Sequence, residues 1–160
     1  MTVIFTRQSS ERTKQLRKEF KTNNVAKQFL TYLFENGYMK RISGRFVPRK
    51  VLRGKVPKGF DIHHIRPLSG GGTNSLSNLC LIERGLHKFL NRRCFDPALK
   101  DIVEGETVEI DIPNLPPLAL YKDYQKFITK VLETQGRETP FHRLLITPLG
   151  KIPRFIGWRK

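Results

Sequence analysis

The chain has 160 residues, with enough apolar and aromatic content for one packed core. Its 30 Lys and Arg against 14 Asp and Glu give a formal net charge of +16, an excess that points to a polyanionic partner. No apolar run reaches the ~18 residues of a membrane-spanning helix, and two cysteines without paired spacing exclude a disulfide framework.

Positive charge is concentrated towards the two ends. Residues 1–58 carry fifteen Lys and Arg against three Glu, residues 101–136 seven acids against three Lys, and residues 137–160 six basic residues against one acid. The start, Met1 to Phe5, is too short for a signal-peptide core; the expected location is the cytoplasm, or delivery into a target cell. Thr6 to Lys21 reads as an exposed basic helix capped by Ser9 or Ser10 and running through Leu16 and Phe20, either a solvated face or a phosphate contact. Asn23 or Asn24 starts a second helix with Val25, Phe29, Tyr32 and Leu33 on its core face, and Gly37 ends it. Tyr38 to Lys58 interleaves apolar residues with Arg41, Arg45, Arg49, Lys50, Arg53 and Lys55. It reads as short strands or an extended arm, and as the main candidate for contact with a nucleic-acid backbone, which needs Lys and Arg without base-specific geometry.

Phe60 to Arg93 holds three of the four histidines. Phe60 to Ile65 reads as a strand ended by Pro67, Ser69 to Asn74 as a turn, Leu79 to Ile82 as a second strand, and the stretch from about Glu83 as a helix with Leu86, Phe89 and Leu90 on one face. Adjacent His63 and His64 on a strand point to opposite faces. His87 and Asn91, four apart, share one side of a helix. Imidazole is both a metal ligand and the side chain best poised for proton transfer near neutral pH. Asn74 reads as a turn residue. Arg92 and Arg93 are expected to close the helix, where they suit its C-terminal dipole; with Arg66, the favoured one of the three, they are candidates for holding a phosphate. Phe95-Asp96-Pro97 reads as a stop.

Val103 to Pro113 reads as a hairpin or strand with its acids exposed, and Pro113, Pro116 and Pro117 as a rigid linker. Leu118 to Gln135 reads as an amphipathic helix packing on the central stretch or the N-terminal helix. Pro140 to Lys160 reads as a docked strand or arm, with Phe155 and Trp158 in a core or dimer contact or stacked on bases; His142 reads as structural. The regions 1–58, 59–97 and 98–160 are expected to form one compact domain.

The His63-His64 pair with Pro67 and the glycine run Gly70-Gly71-Gly72, then Asn78-Leu79, then His87, resemble the HNH endonuclease family. They are most like its variant with two adjacent histidines, found in colicin-type DNases. The resemblance covers about a quarter of the chain. It implies an α+β fold with a ββα-metal (HNH, His-Me finger) core, flanked by helices and basic extensions. It implies that His63 and His87 bind one divalent metal ion, that His64 is the general base, and that Asn78 holds the loop that aims His64. The family variant has a third histidine ligand where this chain has Asn91, which leaves Asn91 open as a direct or water-mediated ligand and the metal open among Mg²⁺, Mn²⁺, Ni²⁺ and Zn²⁺. The implied activity is metal-assisted hydrolysis of DNA with weak sequence preference, leaving a 5′-phosphate and a 3′-hydroxyl. RNA is the alternative substrate, and a non-cutting nucleic-acid-binding protein the alternative class. A toxin DNase would imply a small acidic immunity protein as partner; a phage, mobile-element or restriction-type nuclease is the other role. No membrane partner is expected.

Overall fold

The structure, a computed structural model, describes residues 2–42 and 51–134. Residues 1–125 form one compact unit and residues 126–160 a second. The architecture is mixed α+β. Strand β1 (Thr2–Thr6) leads into helix α1 (Ser10–Thr22), where the Ser9 hydroxyl accepts the Arg12 N–H at 3.1 Å and caps the first turn. Thr13 and Leu16 are the buried residues of α1. Helix α2 (Val25–Glu35) buries Val25, Phe29, Leu30 and Leu33. Asn24 stands at its N-cap, but in the left-handed region and without a side-chain capping bond. Gly37, at φ +73°, turns the chain into a 3-10 turn at Tyr38–Arg41.

That 3-10 turn replaces the strand or arm expected from Tyr38 onward, because Met39 is drawn into the core with Val51. Arg45, Arg49 and Lys50 lie outside the described residues, while Arg53 and Lys55 are exposed. The readings of Pro140 to Lys160 likewise lie outside them.

Strands β2 (Phe60–His64) and β3 (Leu79–Glu83) pair antiparallel, with His63 opposite Cys80 and His64 opposite Leu79. Past them, helix α3 (Arg84–Leu90) runs through a π-helical turn at Asn91–Phe95 into α4 (Asp96–Leu99). The helix therefore does not stop at Phe95-Asp96-Pro97, and Arg92 and Arg93 sit in the middle of the helical run. A proline in a regular helix meets the carbonyl four residues back. Here Asp96 N–H bonds the Asn91 carbonyl five residues back, and Pro97 falls in the first turn of α4, where it is tolerated.

Strand β4 (Thr107–Asp111) pairs with β1, nearly the length of the unit away, and forms no hairpin of its own. Its Glu109 and Asp111 are exposed. The proline-rich stretch after it is packed and is no linker: Ile112, Pro113 and Leu115 are buried, and the Pro117 carbonyl accepts the Leu81 N–H at 2.8 Å. Prolines have no N–H to satisfy, so such a stretch can be buried at low cost. It delivers β5 (Leu118–Ala119) parallel to β3. Leu118 and Ala119 are thus strand, Tyr121–Tyr124 a 3-10 turn, and only Gln125–Thr134 is the expected helix, α5, with Ile128 and Leu132 buried.

The sheet β2-β3-β5 has two working faces. Phe60, Leu79, Leu81 and Leu118 join Phe29, Leu30 and Leu33 of α2 in the main core. Asp61, His63, Cys80 and Ile82 alternate to the other face, towards α3. Among the described residues no helix is long and apolar enough to cross a membrane.

Candidate metal centre and catalytic loop

The strand period separates the two adjacent histidines. His63 points to the α3 face, where its ring centre lies 4.9 Å from that of His87 and 5.5 Å from that of Phe95. His63 is 4% exposed, and its Nε2 is buried with no hydrogen-bond partner among the described residues. A buried unpaired ring nitrogen is costly unless something outside the chain meets it. Burial first, then the neighbouring His87 and His64, push the His63 pKa down to about 3, so its ring is neutral at physiological pH.

His87 is oriented from behind. Its Nδ1 lies 3.0 Å from Asp61 Oδ2, and Asp61 is also bonded by Arg84 Nε at 3.3 Å. Burial pushes the Asp61 carboxyl up, but the hydrogen bonds and charges of His87 and Arg84 outweigh it and hold its pKa below the usual range. An ionised carboxylate on Nδ1 makes that nitrogen the donor and leaves Nε2 as the lone-pair side, the arrangement by which carboxylates orient metal-binding histidines. With metal–nitrogen bonds of about 2.1 Å, two imidazoles on one ion at a near-tetrahedral angle have ring centres about 5 Å apart. The observed spacing and the orphaned His63 nitrogen fit that donor pair. Among the described residues no group of three or more His, Cys, Asp or Glu is placed to hold an ion. A third protein ligand would therefore have to come from a residue such as Asn91, half-buried one turn after His87 on the same side of the helix.

His64 projects from the other face of β2. Its ring lies 5.4 Å from Phe20 of α1, and its Nε2 is 3.0 Å from Asn74 Oδ1. Asn74 Nδ2 donates to the Leu16 carbonyl at 2.8 Å, so the amide oxygen is the atom turned to His64. His64 must then carry its proton on Nε2, which leaves Nδ1 as an acceptor. Burial lowers the His64 pKa, and the Asn74 bond partly offsets this. The ring is neutral near pH 7 and able to take a proton.

The loop between β2 and β3 is clamped by Asn78. Its Oδ1 accepts the Arg66 N–H at 2.8 Å, and its Nδ2 donates to the carbonyls of Arg66 at 3.0 Å and Thr73 at 2.8 Å. The Ile65 N–H adds a bond to the Asn78 carbonyl at 2.8 Å. Gly72 sits so close to this loop that a Cβ there would lie 1.9 Å from the Arg66 carbonyl oxygen. Arg66 itself is turned to β1: its guanidinium donates to the Ile4 carbonyl and lies over the Phe5 ring at 5.8 Å. In this arrangement it braces the loop against β1 instead of joining the histidine cluster. Arg92 is exposed and Arg93 half-buried in the π turn. Sequence reasoning missed Asp61 and Asn74. Asp61 had a readable signal, two residues before His63 on the same strand face; Asn74 had none, since its role depends on the path of the loop.

Only the mixed α+β class is fixed at this point, and comparison with known proteins adds little to it. The chain is 34% identical over 132 residues to the uncharacterized protein YhhZ of Escherichia coli (strain K12). The match covers 78% of this chain and 33% of YhhZ, so the chain spans about a third of that relative's length. No protein-family model and no solved structure matches.

Proposed function

We propose that the chain is a metal-dependent endonuclease with a ββα-metal core, hydrolysing DNA phosphodiester bonds with weak sequence specificity. The observation that supports this best is the split of the histidine pair. His63 shares the buried side of β2 with His87, backed by Asp61, while His64 stands on the opposite side with its tautomer set by Asn74. In this reading His63 and His87, with Asn91 directly or through water, would hold one divalent ion: Mg²⁺, Mn²⁺, Ni²⁺ or Zn²⁺. Bound there, the ion would neutralise charge on the phosphate and on the departing 3′ oxygen.

His64 Nδ1 takes the proton of the attacking water; Asn74 keeps Nε2 protonated so that Nδ1 remains the base. Asn78 fixes the loop that follows His64. Asp61 keeps His87 in its ligand tautomer. The formal charge of +16 suits a polyanionic substrate, and Arg53 and Lys55 are exposed for phosphate contact. A toxin role with a small acidic immunity partner stays part of the proposal, beside a phage or mobile-element role.

Calorimetric titration of the metal-stripped chain tests the site. We expect one divalent ion per chain, lost in His87→Ala and weakened about 10- to 100-fold in Asp61→Asn, since the orienting carboxylate is then neutral. Equal affinity in all three proteins would rule out this site.

A further inference from the structure

Helix α1 is more than a cover for His64. Leu16 and Thr13 are buried and Phe20 is half-buried, so the apolar stripe faces inward, onto Asn74 through the Leu16 carbonyl and onto His64 through the Phe20 ring. Lys14, Arg17, Lys18 and Lys21 recur at the spacing that puts them on one flank of that stripe. All four are exposed, and none is in an ion pair among the described residues. Of the two acids of α1, one lies off this flank and the other stands at its N-terminal end, one turn before Lys14. Glu19 lies on the opposite flank, bonded by Gln15 at 2.8 Å and paired with Arg12 at 3.9 Å. Glu11 is in the first turn, where it complements the helix dipole. The result is a row of four cations about 10 Å long, beginning one turn before Arg17 and ending on the residue next to Phe20.

We propose that this ridge, Lys14-Arg17-Lys18-Lys21, takes the phosphodiester backbone of a nucleic acid duplex and lays it beside His64. One strand carries a phosphate about every 3.4 Å of helix axis, so the ridge spans roughly three such steps, about four successive phosphates. A membrane surface is the other polyanion it could meet. An interfacial helix needs a free apolar face, and the apolar face of α1 is already used inside the protein. That the duplex ends up beside the catalytic base rests on the nuclease reading; the binding of the duplex does not.

The test is binding of the full chain to a fluorescent duplex of about 20 base pairs, in EDTA so that nothing is cut, between roughly 50 and 200 mM salt. Removing the four charges in Lys14→Gln/Arg17→Gln/Lys18→Gln/Lys21→Gln is expected to flatten the log–log salt slope by about 3.5, with each phosphate contact contributing about 0.9. Across that range the unaltered chain then loses roughly a hundredfold more affinity than the variant. Lys14→Arg/Lys18→Arg/Lys21→Arg keeps the full slope, and the equal-charge control Lys27→Gln/Lys40→Gln/Lys100→Gln/Lys122→Gln shifts it by less than about 1. An unchanged slope in the ridge variant, or an equal loss in the control, overturns the proposal. So does a ridge variant that loses only its binding to phosphatidylserine vesicles. Because no cleavage is read, each of these outcomes is independent of whether the protein is a nuclease.

Discussion

Replacing Asn78 by alanine removes three side-chain hydrogen bonds from the loop between β2 and β3. The amide accepts the Arg66 N–H at 2.8 Å and donates to the Arg66 and Thr73 carbonyls at 3.0 and 2.8 Å. At about 1 kcal/mol net for each, discounted for partial exposure, Asn78→Ala should cost about 2 to 3 kcal/mol. For a chain of this size that is a fall in Tm of about 5 to 10 °C. Asn78→Asp keeps the acceptor but sets a carboxylate against two carbonyl oxygens, so it should be at least as unstable as the alanine variant at neutral pH. Urea unfolding followed by circular dichroism gives both values, and an unchanged m-value shows that the native loss is being read. A cost below about 0.5 kcal/mol for alanine, or an aspartate variant as stable as the parent, would refute the clamp.

Other outcomes follow from the same loop and core. Gly72→Ala should destabilise the protein and displace the loop, because its Cβ would meet the Arg66 carbonyl oxygen at 1.9 Å and the Pro67 carbonyl oxygen at 2.9 Å, both backbone; amide chemical shifts from Ile65 to Asn78 that match the parent would contradict this. Asn74→Ala frees the His64 ring, and we expect its Nε2–H tautomer preference, read by nitrogen chemical shifts, to weaken; an unchanged tautomer ratio would show that Asn74 does not set it. Burial pushes Cys80 up to about 12 and Cys94 up to about 11, from an ordinary 9.0, and Tyr121 and Tyr124 up to about 12, from 10.0. The unfolded chain therefore releases these protons first, and stability should fall steadily as pH rises from the ordinary thiol value towards the folded ones; a flat profile across that window would show that these groups are not buried as described.

The central strand–loop–strand–helix was legible in the sequence because its signals are local. Alternation marked β2, Pro67 and the glycines marked the turn, and the apolar run marked β3. The same period placed His63 and His64 on opposite faces. What was misread depends on partners far away in the chain. Pro97 looked like a stop because a π turn before it has no residue signature. Leu118 and Ala119 run straight into the helical pattern that begins at Leu120, yet become strand because β3 offers an open edge. Pro113 to Pro117 looked like a linker because composition does not reveal burial. The engagement of Arg66 with Ile4 and Phe5 was not legible either, since it depends on the β1–β4 pair, which forms across the length of the unit. Within the site, the three histidines and Asn78 could be chosen from sequence, whereas the pairing of Asn74 with His64 required the folded loop.

Plasmid cleavage tests the central claim most directly. Purified protein with Mg²⁺, Mn²⁺, Ni²⁺ or Zn²⁺ should nick supercoiled DNA, EDTA should stop it, and His64→Ala should cut about 10²- to 10⁴-fold more slowly while still binding the metal. DNA left intact with every metal, or cut equally well by His64→Ala, would contradict the assignment of these three imidazoles.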